Sequence, residues 1–239
     1  MSGFDVKKIQ ASLDKYDHYF AVSEQLLEEF VSIFPEYKSK SSIAHNIVSE
    51  SYIRSSITGE QVEEYSKDTV NLLTIGRLDK QKGYDLAIKA CAELKARSHK
   101  FSWYVLGNGI EEQNIRKMIE EYDVEGYFHL LGIRINPYPY INGCDIYVQP
   151  SKHEGYGIAV AEARMLNKPI VCTDFTGARD QIVDGKTGII VRFDSNDIAD
   201  AIEALILNSD KRDEFCKNLS ISDKRCDSEL LSIVEYWKK

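Results

Sequence analysis

Two carboxylates and two glycines stand close together in the middle of the chain, in a pattern that could bind a ligand. Glu154 precedes Gly155 and Gly157, and seven residues separate it from Glu162. The preceding run of β-branched and aromatic residues predicts a short buried strand, whereas 158–166 contains no glycine or proline and predicts a helix. The glycines therefore lie at a turn between strand and helix, where a missing side chain lets a ligand approach the backbone.

A turn that leads into a helix is a natural site for an anion. The first turn of a helix leaves its N–H groups unpaired, and the aligned peptide dipoles make that end partly positive. A phosphate at the amides of Gly157 and Ile158 would gain both hydrogen bonds and a favourable field. Glu154 and Glu162 would repel that phosphate unless each accepts hydrogen bonds from neutral hydroxyls of the same ligand. The group therefore predicts a site for a phosphate flanked by two polyols, which is the chemistry of a sugar nucleotide.

A second group of candidate residues follows the strand predicted at 70–76. Arg77 and Lys82 lie in the loop after this strand, and in open α/β sheets ligands bind at such loops. Arg77 offers a rigid fork of donors and Lys82 a mobile point charge, and both suit a diphosphate. The alternative interpretation is that one or both are solvated surface cations.

The order of the predicted elements indicates how these loops come together. Strands alternate with helices from residue 70 to residue 207, which predicts a parallel sheet covered on both faces. We count about six strands and expect an α/β fold with a doubly wound, Rossmann-like parallel sheet. Before this sheet we expect a helix over 4–16, a strand over 17–23, a helix over 24–34 and a strand over 40–48. After residue 210 the chain is expected to be helical.

Several motifs resemble those of a known enzyme family. The stretch 150–171, which contains Glu154 and Glu162, resembles the Glu-x7-Glu signature of retaining glycosyltransferases of family four, which have the GT-B fold. The stretch 76–83 is similar to the Gly-Arg-Leu and Lys-Gly pattern of the same family. Two further stretches, 21–24 and 43–46, resemble the passage from its acceptor-binding domain into its donor-binding domain. The resemblance covers roughly residues 18–210.

The resemblance implies that this chain is one half of a GT-B architecture. Residues 1–48 would be an inter-domain segment packed on the main domain, 49–210 the domain that binds the nucleotide sugar, and 211–239 a C-terminal helical tail. Such an enzyme moves a sugar from a nucleotide diphosphate to an acceptor hydroxyl with retained configuration, in polysaccharide or glycolipid synthesis. The acceptor glycan or glycolipid would bind through a missing N-terminal domain, and we expect this chain to be inactive alone.

The resemblance also implies roles for individual residues. Glu154 would orient hydroxyls of the donor sugar, while Arg77 and Lys82 would stabilise charge on the departing diphosphate, so these three are the predicted catalytic residues. Glu162 would hold the ribose. The phosphates would contact the turn formed by Gly155, Gly157 and Ile158.

Gly107 and His153 complete the predicted ligand-binding residues. Gly107 begins a Gly-Asn-Gly sequence between a predicted strand and helix, but the dinucleotide fingerprint needs a small residue where Glu112 stands, so NAD binding is not expected. We interpret Gly107 as permitting close packing beside the cleft, with a purely structural turn as the alternative. His153 adjoins Glu154, and the alternative for it is a position on the rim without ligand contact. The family commonly has two glycines followed by a glutamate near residues 176–180. This chain has Asp180 there in place of the glutamate, and the role of its carboxylate is left open.

Composition and net charge limit the classes of partner and cofactor that we expect this protein to bind. A net charge of −8 disfavours nonspecific nucleic-acid binding and an anionic membrane surface. The sequence has no Asp-x-Asp motif, so we expect no metal and no cofactor beyond the nucleotide-sugar substrate. We expect no signal peptide or membrane span, and five cysteines without metal-like clustering favour the cytoplasm, in the full enzyme at the inner face of the membrane.

Two other functions remain open from the sequence. The chain could be half of a nucleotide-sugar epimerase, which would also need a first domain. It could also be a non-catalytic module that binds sugar nucleotides or a partner.

Overall fold

The computed structural model describes residues 6–57, 59 and 62–222. The helices in this part are α1 (Val6–Leu13), α2 (Glu24–Ile33), α3 (Glu50–Ser55), α4 (Tyr84–Ala96), α5 (Glu112–Glu121), α6 (Tyr138–Gly143), α7 (Ile158–Met165), α8 (Ala178–Gln181), α9 (Ser195–Ile206) and α10 (Ser209–Ile221). The strands are β1 (Tyr19–Ala21), β2 (Ser41–Ile43), β3 (Val70–Ile75), β4 (Phe101–Leu106), β5 (Phe128–Gly132), β6 (Ile146–Gln149), β7 (Ile170–Thr173) and β8 (Gly188–Val191). Short 3₁₀ turns cover Pro35–Lys40 and Lys80–Lys82.

The six strands from β3 onwards form one sheet in the order β5-β4-β3-β6-β7-β8. Every neighbouring pair is parallel, which confirms the predicted doubly wound α/β fold. The order reverses between β3 and β6, because the chain first adds strands on one side of β3 and then crosses to the other. In such sheets a crevice opens beyond the carboxyl ends of the two strands at the reversal.

Helices cover both faces of this sheet, so its central strands are buried on both sides. All residues of β4, β6 and β7 are buried, as expected for central parallel strands. Consecutive residues of β3 point to opposite faces: Leu72 packs with residues of α4 and α9, and Leu73 packs with residues of α7. The two apolar layers hold β3 and β6 rigidly, and with them the loops that follow.

The segment before the sheet forms a small unit of its own. β1 pairs in parallel with β2 over only three residues, and α2 begins at Ser23, whose hydroxyl accepts a hydrogen bond from the amide of Leu26 at 3.3 Å. The strand predicted over 40–48 was too long, because its partner β1 ends at Ala21. The chain beyond Ile43 therefore leaves the ladder after one further backbone bond to Ala21.

Of the predicted helical tail, the stretch up to Ile221 lies in α10. The rest of the predicted tail, 223–239, lies outside the described residues, as do residues 4 and 5 of the helix predicted over 4–16. None of the helices among residues 6–57 and 62–222 has the length and apolar character needed to cross a membrane.

Candidate functional site

A cleft of about 420 Å³ opens at the carboxyl ends of β3 and β6, where the strand order reverses. Val22 and Asn46 of the N-terminal segment line it, together with Tyr156. Six of the nine predicted site residues line the cleft, namely Lys82, Glu154, Gly155, Gly157, Ile158 and Glu162. The structure thus brings together the two groups that were identified separately in the sequence.

The other three predicted residues lie beside this cleft and not in its lining. The Arg77 side chain is 76% exposed, and its Nη2 lies 3.3 Å from Oδ2 of Asp79. His153 is exposed, with its backbone N–H near the carbonyl of Gln81. Gly107 has a φ of 148°, and a Cβ there would lie 2.0 Å from the carbonyl oxygen of Gly76. Gly107 therefore permits close packing of the loops after β4 and β3, and ligand contacts of all three residues stay predictions.

Glycines also determine how the two loops of the cleft meet. Gly83 has a φ of 67°, and a Cβ there would lie 1.9 Å from the carbonyl oxygen of Pro150. The amide of Lys152 donates to the carbonyl of Gln81 at 2.7 Å, so the two loops contact each other through their backbones. Gly157, with a φ of 83°, caps α7 in the left-handed region that favours glycine.

This packing brings Lys82 and Glu154 into an ion pair. Nζ of Lys82 donates to Oε1 of Glu154 at 2.6 Å, and the two side chains are only 18% and 12% exposed. Lys82 lies in the 3₁₀ turn that Asp79 caps by accepting from the amides of Gln81 and Lys82. The cleft therefore contains a fixed cation directly beside a fixed anion.

Sequence reasoning missed the polar side chains behind Glu154. Ser151 Oγ donates to Oε1 of Glu154 at 2.8 Å, and Nε2 of Gln149 lies 3.3 Å from the same oxygen. Both residues are buried at the end of an apolar strand. Polar residues in a run that otherwise forms core were the available signal, since such groups are seldom buried without a partner.

Glu162 has a partner that was also missed. It comes from α6, which begins at Tyr138 directly after Pro137. The Tyr138 hydroxyl donates to Oε1 of Glu162 at 3.2 Å. Burial raises the pKa of Glu162, and the hydrogen bond from Tyr138 opposes this rise.

The raised pKa of Glu162 allows the role of Tyr138 to be tested. Because folding raises the pKa of Glu162, its contribution to stability is present at low pH and is lost as the pH rises through that pKa. Tyr138→Phe removes the donor that favours the carboxylate, so we expect the pKa of Glu162 to rise further and the loss to occur at higher pH. An NMR titration of the Glu162 carboxyl carbon measures this, with Tyr122→Phe as an exposed control. An unchanged or lowered pKa of Glu162 in Tyr138→Phe would contradict the assignment.

Asp180 links the N-terminal segment to the sheet domain. Its Oδ2 accepts from the amide of Glu24 at 2.8 Å, at the start of α2, and lies 3.4 Å from Nε2 of His45. A carboxylate at a helix N-terminus is favourable there because it satisfies an unpaired amide and the positive end of the helix dipole. These contacts give Asp180 a structural role.

Comparison with known proteins agrees with this fold. The family described as glycosyl transferases group 1 matches residues 58–220. N-acetylgalactosamine-N,N'-diacetylbacillosaminyl-diphospho-undecaprenol 4-alpha-N-acetylgalactosaminyltransferase of Campylobacter jejuni is 29% identical over 206 residues, which are 85% of this chain and 54% of that protein. The capsular polysaccharide biosynthesis glycosyltransferase CapM of Staphylococcus aureus is 29% identical over 165 residues, which are 65% of this chain and 42% of that protein.

Solved structures with a similar fold were also found. The crystal structure of Anabaena HepE in complex with UDP superimposes with a TM-score of 0.87 at 18% identity, over 98% of this chain and 68% of that one. The chain spans about half the length of the curated relatives described above. Since the family matches more than half of the chain, from residue 58 to residue 220, this protein belongs to the group 1 glycosyl transferases.

Proposed function

We propose that this chain is the part of a retaining glycosyltransferase that binds the nucleotide-sugar donor. The observation that carries the proposal is the cleft at the reversal of the sheet, which Lys82, Glu154, Glu162 and the turn at Gly157 line together. Family membership and the binding of UDP by HepE support it. Relatives named as glycosyltransferases favour this function over an epimerase half or a non-catalytic module.

Each residue of the cleft suits one part of such a donor. The amides of Gly157 and Ile158 begin α7 and would hydrogen-bond the diphosphate, whose charge Lys82 and Arg77 would stabilise as it departs. Glu154 would accept hydrogen bonds from the donor sugar. Glu162 would accept them from the ribose. Gly155, which lines the same turn, leaves room for the donor beside Glu154.

The same arrangement suits transfer with retained configuration. In this proposal the acceptor oxygen bonds to the anomeric carbon on the face from which the diphosphate departs, and the acceptor proton passes to an oxygen of the leaving diphosphate. No protein nucleophile takes part in that step. The positive charge of Lys82, Arg77 and the α7 terminus would offset the charge of the leaving group, so we expect the reaction to need no metal.

The acceptor belongs to the same proposal. The names of two relatives refer to a diphospho-undecaprenol and to capsular polysaccharide biosynthesis, which supports an acceptor glycan or glycolipid. An acceptor-binding domain would lie outside this chain, which spans about half of those relatives.

The cysteines bear on where the protein works. Three of them are buried and form no disulfide, namely Cys91, Cys144 and Cys172. They support a reducing compartment such as the cytoplasm.

Nucleotide titration tests the proposal. Calorimetry with UDP, GDP and ADP is expected to show that one of them binds, and that Glu162→Ala and Arg77→Ala weaken its binding. Arg116→Ala, which removes an exposed arginine paired with Glu112 on α5, is expected to bind like the wild type. At a ligand concentration about a hundred times the dissociation constant, binding should stabilise the fold by roughly 2.7 kcal/mol. Absence of binding at millimolar nucleotide, or binding that Glu162→Ala leaves unchanged, would refute the proposed donor site.

A further inference from the structure

Behind Glu154 lies a chain of buried hydrogen bonds formed by residues that are not among the predicted site residues. We infer that Gln149 and Ser151 are positioning residues, which hold the carboxylate of Glu154 in one orientation through a one-way relay that begins at Tyr147. The inference rests on the proposed function only in taking Glu154 as a ligand-binding group. The relay itself consists of contacts within this chain.

The relay runs along one face of β6 and its extension. Side chains at every second position of a strand share a face, and Tyr147, Gln149 and Ser151 have this spacing. The Tyr147 hydroxyl donates to Oε1 of Gln149 at 2.8 Å, and Nε2 of Gln149 donates to Oγ of Ser151 at 2.8 Å. Ser151 then donates to Oε1 of Glu154 at 2.8 Å. Tyr147 and Ser151 are fully buried and Gln149 is 1% exposed.

Hydrogen-bond chemistry fixes the direction of this relay. An ionised carboxylate only accepts, so Ser151 must give its single proton to Glu154. Ser151 Oγ must then accept from Gln149, which places the amide nitrogen of Gln149 towards Ser151 and its oxygen towards Tyr147. Tyr147 has to donate to that oxygen. Every bond thus points towards Glu154, and reversing any one of them would leave a buried polar group without a partner.

The relay determines which oxygen of Glu154 a ligand can use. Lys82, Ser151 and Gln149 all contact Oε1. Among residues 6–57 and 62–222 no hydrogen bond reaches Oε2, and Glu154 lines the cleft. Oε2 is therefore the oxygen left for hydroxyls of a bound sugar. Loss of Ser151 or Gln149 would release the carboxylate to rotate about its last side-chain bond, while Lys82 and the turn at Gly157 stay in place for a diphosphate.

The relay can be tested without any ligand. In the full chain, we expect the side-chain amide protons of Gln149 to exchange with solvent at least about tenfold more slowly than those of exposed Gln113, as burial and two hydrogen bonds require. Their resonances should shift in Ser151→Ala, in Tyr147→Phe and in Glu154→Ala. The signals are assigned by their loss in Gln149→Met. Exchange as fast as that of Gln113, or signals unmoved in all three variants, would overturn the relay.

The positioning role is tested by binding of UDP-glucose, with UDP as the reference that lacks the sugar. Ser151→Ala should weaken the binding of UDP-glucose by about tenfold, which corresponds to the loss of one hydrogen bond to a charged group. The affinity for UDP should stay within about twofold of the wild-type value. Ser151→Thr, which keeps the hydroxyl, should bind UDP-glucose about as tightly as the wild type does. Because Ser151 acts through Glu154, Ser151→Ala should cause no further loss in a Glu154→Ala background, whereas a merely structural effect would persist there.

A matched control separates this effect from loss of a buried hydroxyl in general. Ser102 is buried in β4, where its hydroxyl bonds to Thr69 outside the cleft, and Ser102→Ala should bind both ligands like the wild type. Equal loss of UDP and UDP-glucose in Ser151→Ala, or loss that persists beside Glu154→Ala, would overturn the positioning role. If wild type binds neither ligand, the proposed donor site fails for uridine nucleotides, and the exchange measurement alone then decides whether the relay exists.

Discussion

Lys82→Met is expected to weaken binding of a nucleotide diphosphate by roughly tenfold to a hundredfold, because a hydrogen bond to a charged group contributes about 1.5–3 kcal/mol. Lys82 lines the cleft, whereas Arg77 beside it is largely exposed. Calorimetric titration with the nucleotide that binds the wild type measures the change. Lys152→Met is the matched control, since Lys152 lies in the facing loop and pairs with Asp85 outside the cleft.

The ion pair allows binding and stability to be separated. Lys82→Met leaves Glu154 in a largely buried position without its cationic partner, so the variant should also lose stability. Adding Glu154→Gln removes the unpaired charge and should recover much of that stability, but it cannot restore nucleotide binding. Binding that recovers together with stability in the double variant would show that Lys82 acts only on the fold.

Gly83→Ala is expected to cost more than about 3 kcal/mol of unfolding free energy, which places it among the most damaging single substitutions in this chain. Two costs add at this position. An alanine in the left-handed region costs about 1–2 kcal/mol, and its Cβ would also lie 1.9 Å from the carbonyl oxygen of Pro150, in the backbone of the facing loop. The loops must then separate, so Lys82 and Glu154 should lose their contact as well.

Gly185→Ala isolates the first of these costs. Gly185 has a φ of 73°, close to the 67° of Gly83, but a Cβ there would meet no heavy atom within 4 Å. We therefore expect Gly185→Ala to cost only about 1–2 kcal/mol. Urea denaturation of both variants, with the slope compared to that of the wild type, gives the two values. Equal losses at the two positions would show that the approach of Pro150 to Gly83 is not what requires glycine.

The sequence predicts the sheet domain well because each of its strands is a compact apolar run between turn residues. The predicted strand at 70–76, for example, matches β3 to within one residue at either end. The strand predicted over 40–48 fails for a different reason. Its length depends on β1, a three-residue partner elsewhere in the chain, and pairing of that kind leaves no periodic signal in the strand itself.

Part of the candidate site could also be predicted from the sequence, and part of it could not. Glycines and strand ends indicate where the backbone turns, so the grouping of Lys82 with Glu154 and Glu162 could be predicted. The direction of a side chain could not be predicted, and the structure places Nη2 of Arg77 at 3.3 Å from Oδ2 of Asp79, beside the cleft and not in its lining. The hydroxyl of Tyr138 reaches Glu162 only because α6 and α7 pack together, which no local pattern encodes.

The pairing of both cations with carboxylates also affects how quickly a ligand arrives. Lys82 lies 2.6 Å from Glu154 and Arg77 lies 3.3 Å from Asp79, so an approaching anion meets two dipoles in place of two free positive charges. The field of a dipole falls off faster with distance than that of a charge, and the chain as a whole carries a net charge of −8. Long-range attraction therefore contributes little to the encounter, and added salt should not slow association, because it screens the repulsion between the negatively charged chain and an anionic ligand. Selectivity among anionic ligands would then reside in how slowly each one leaves.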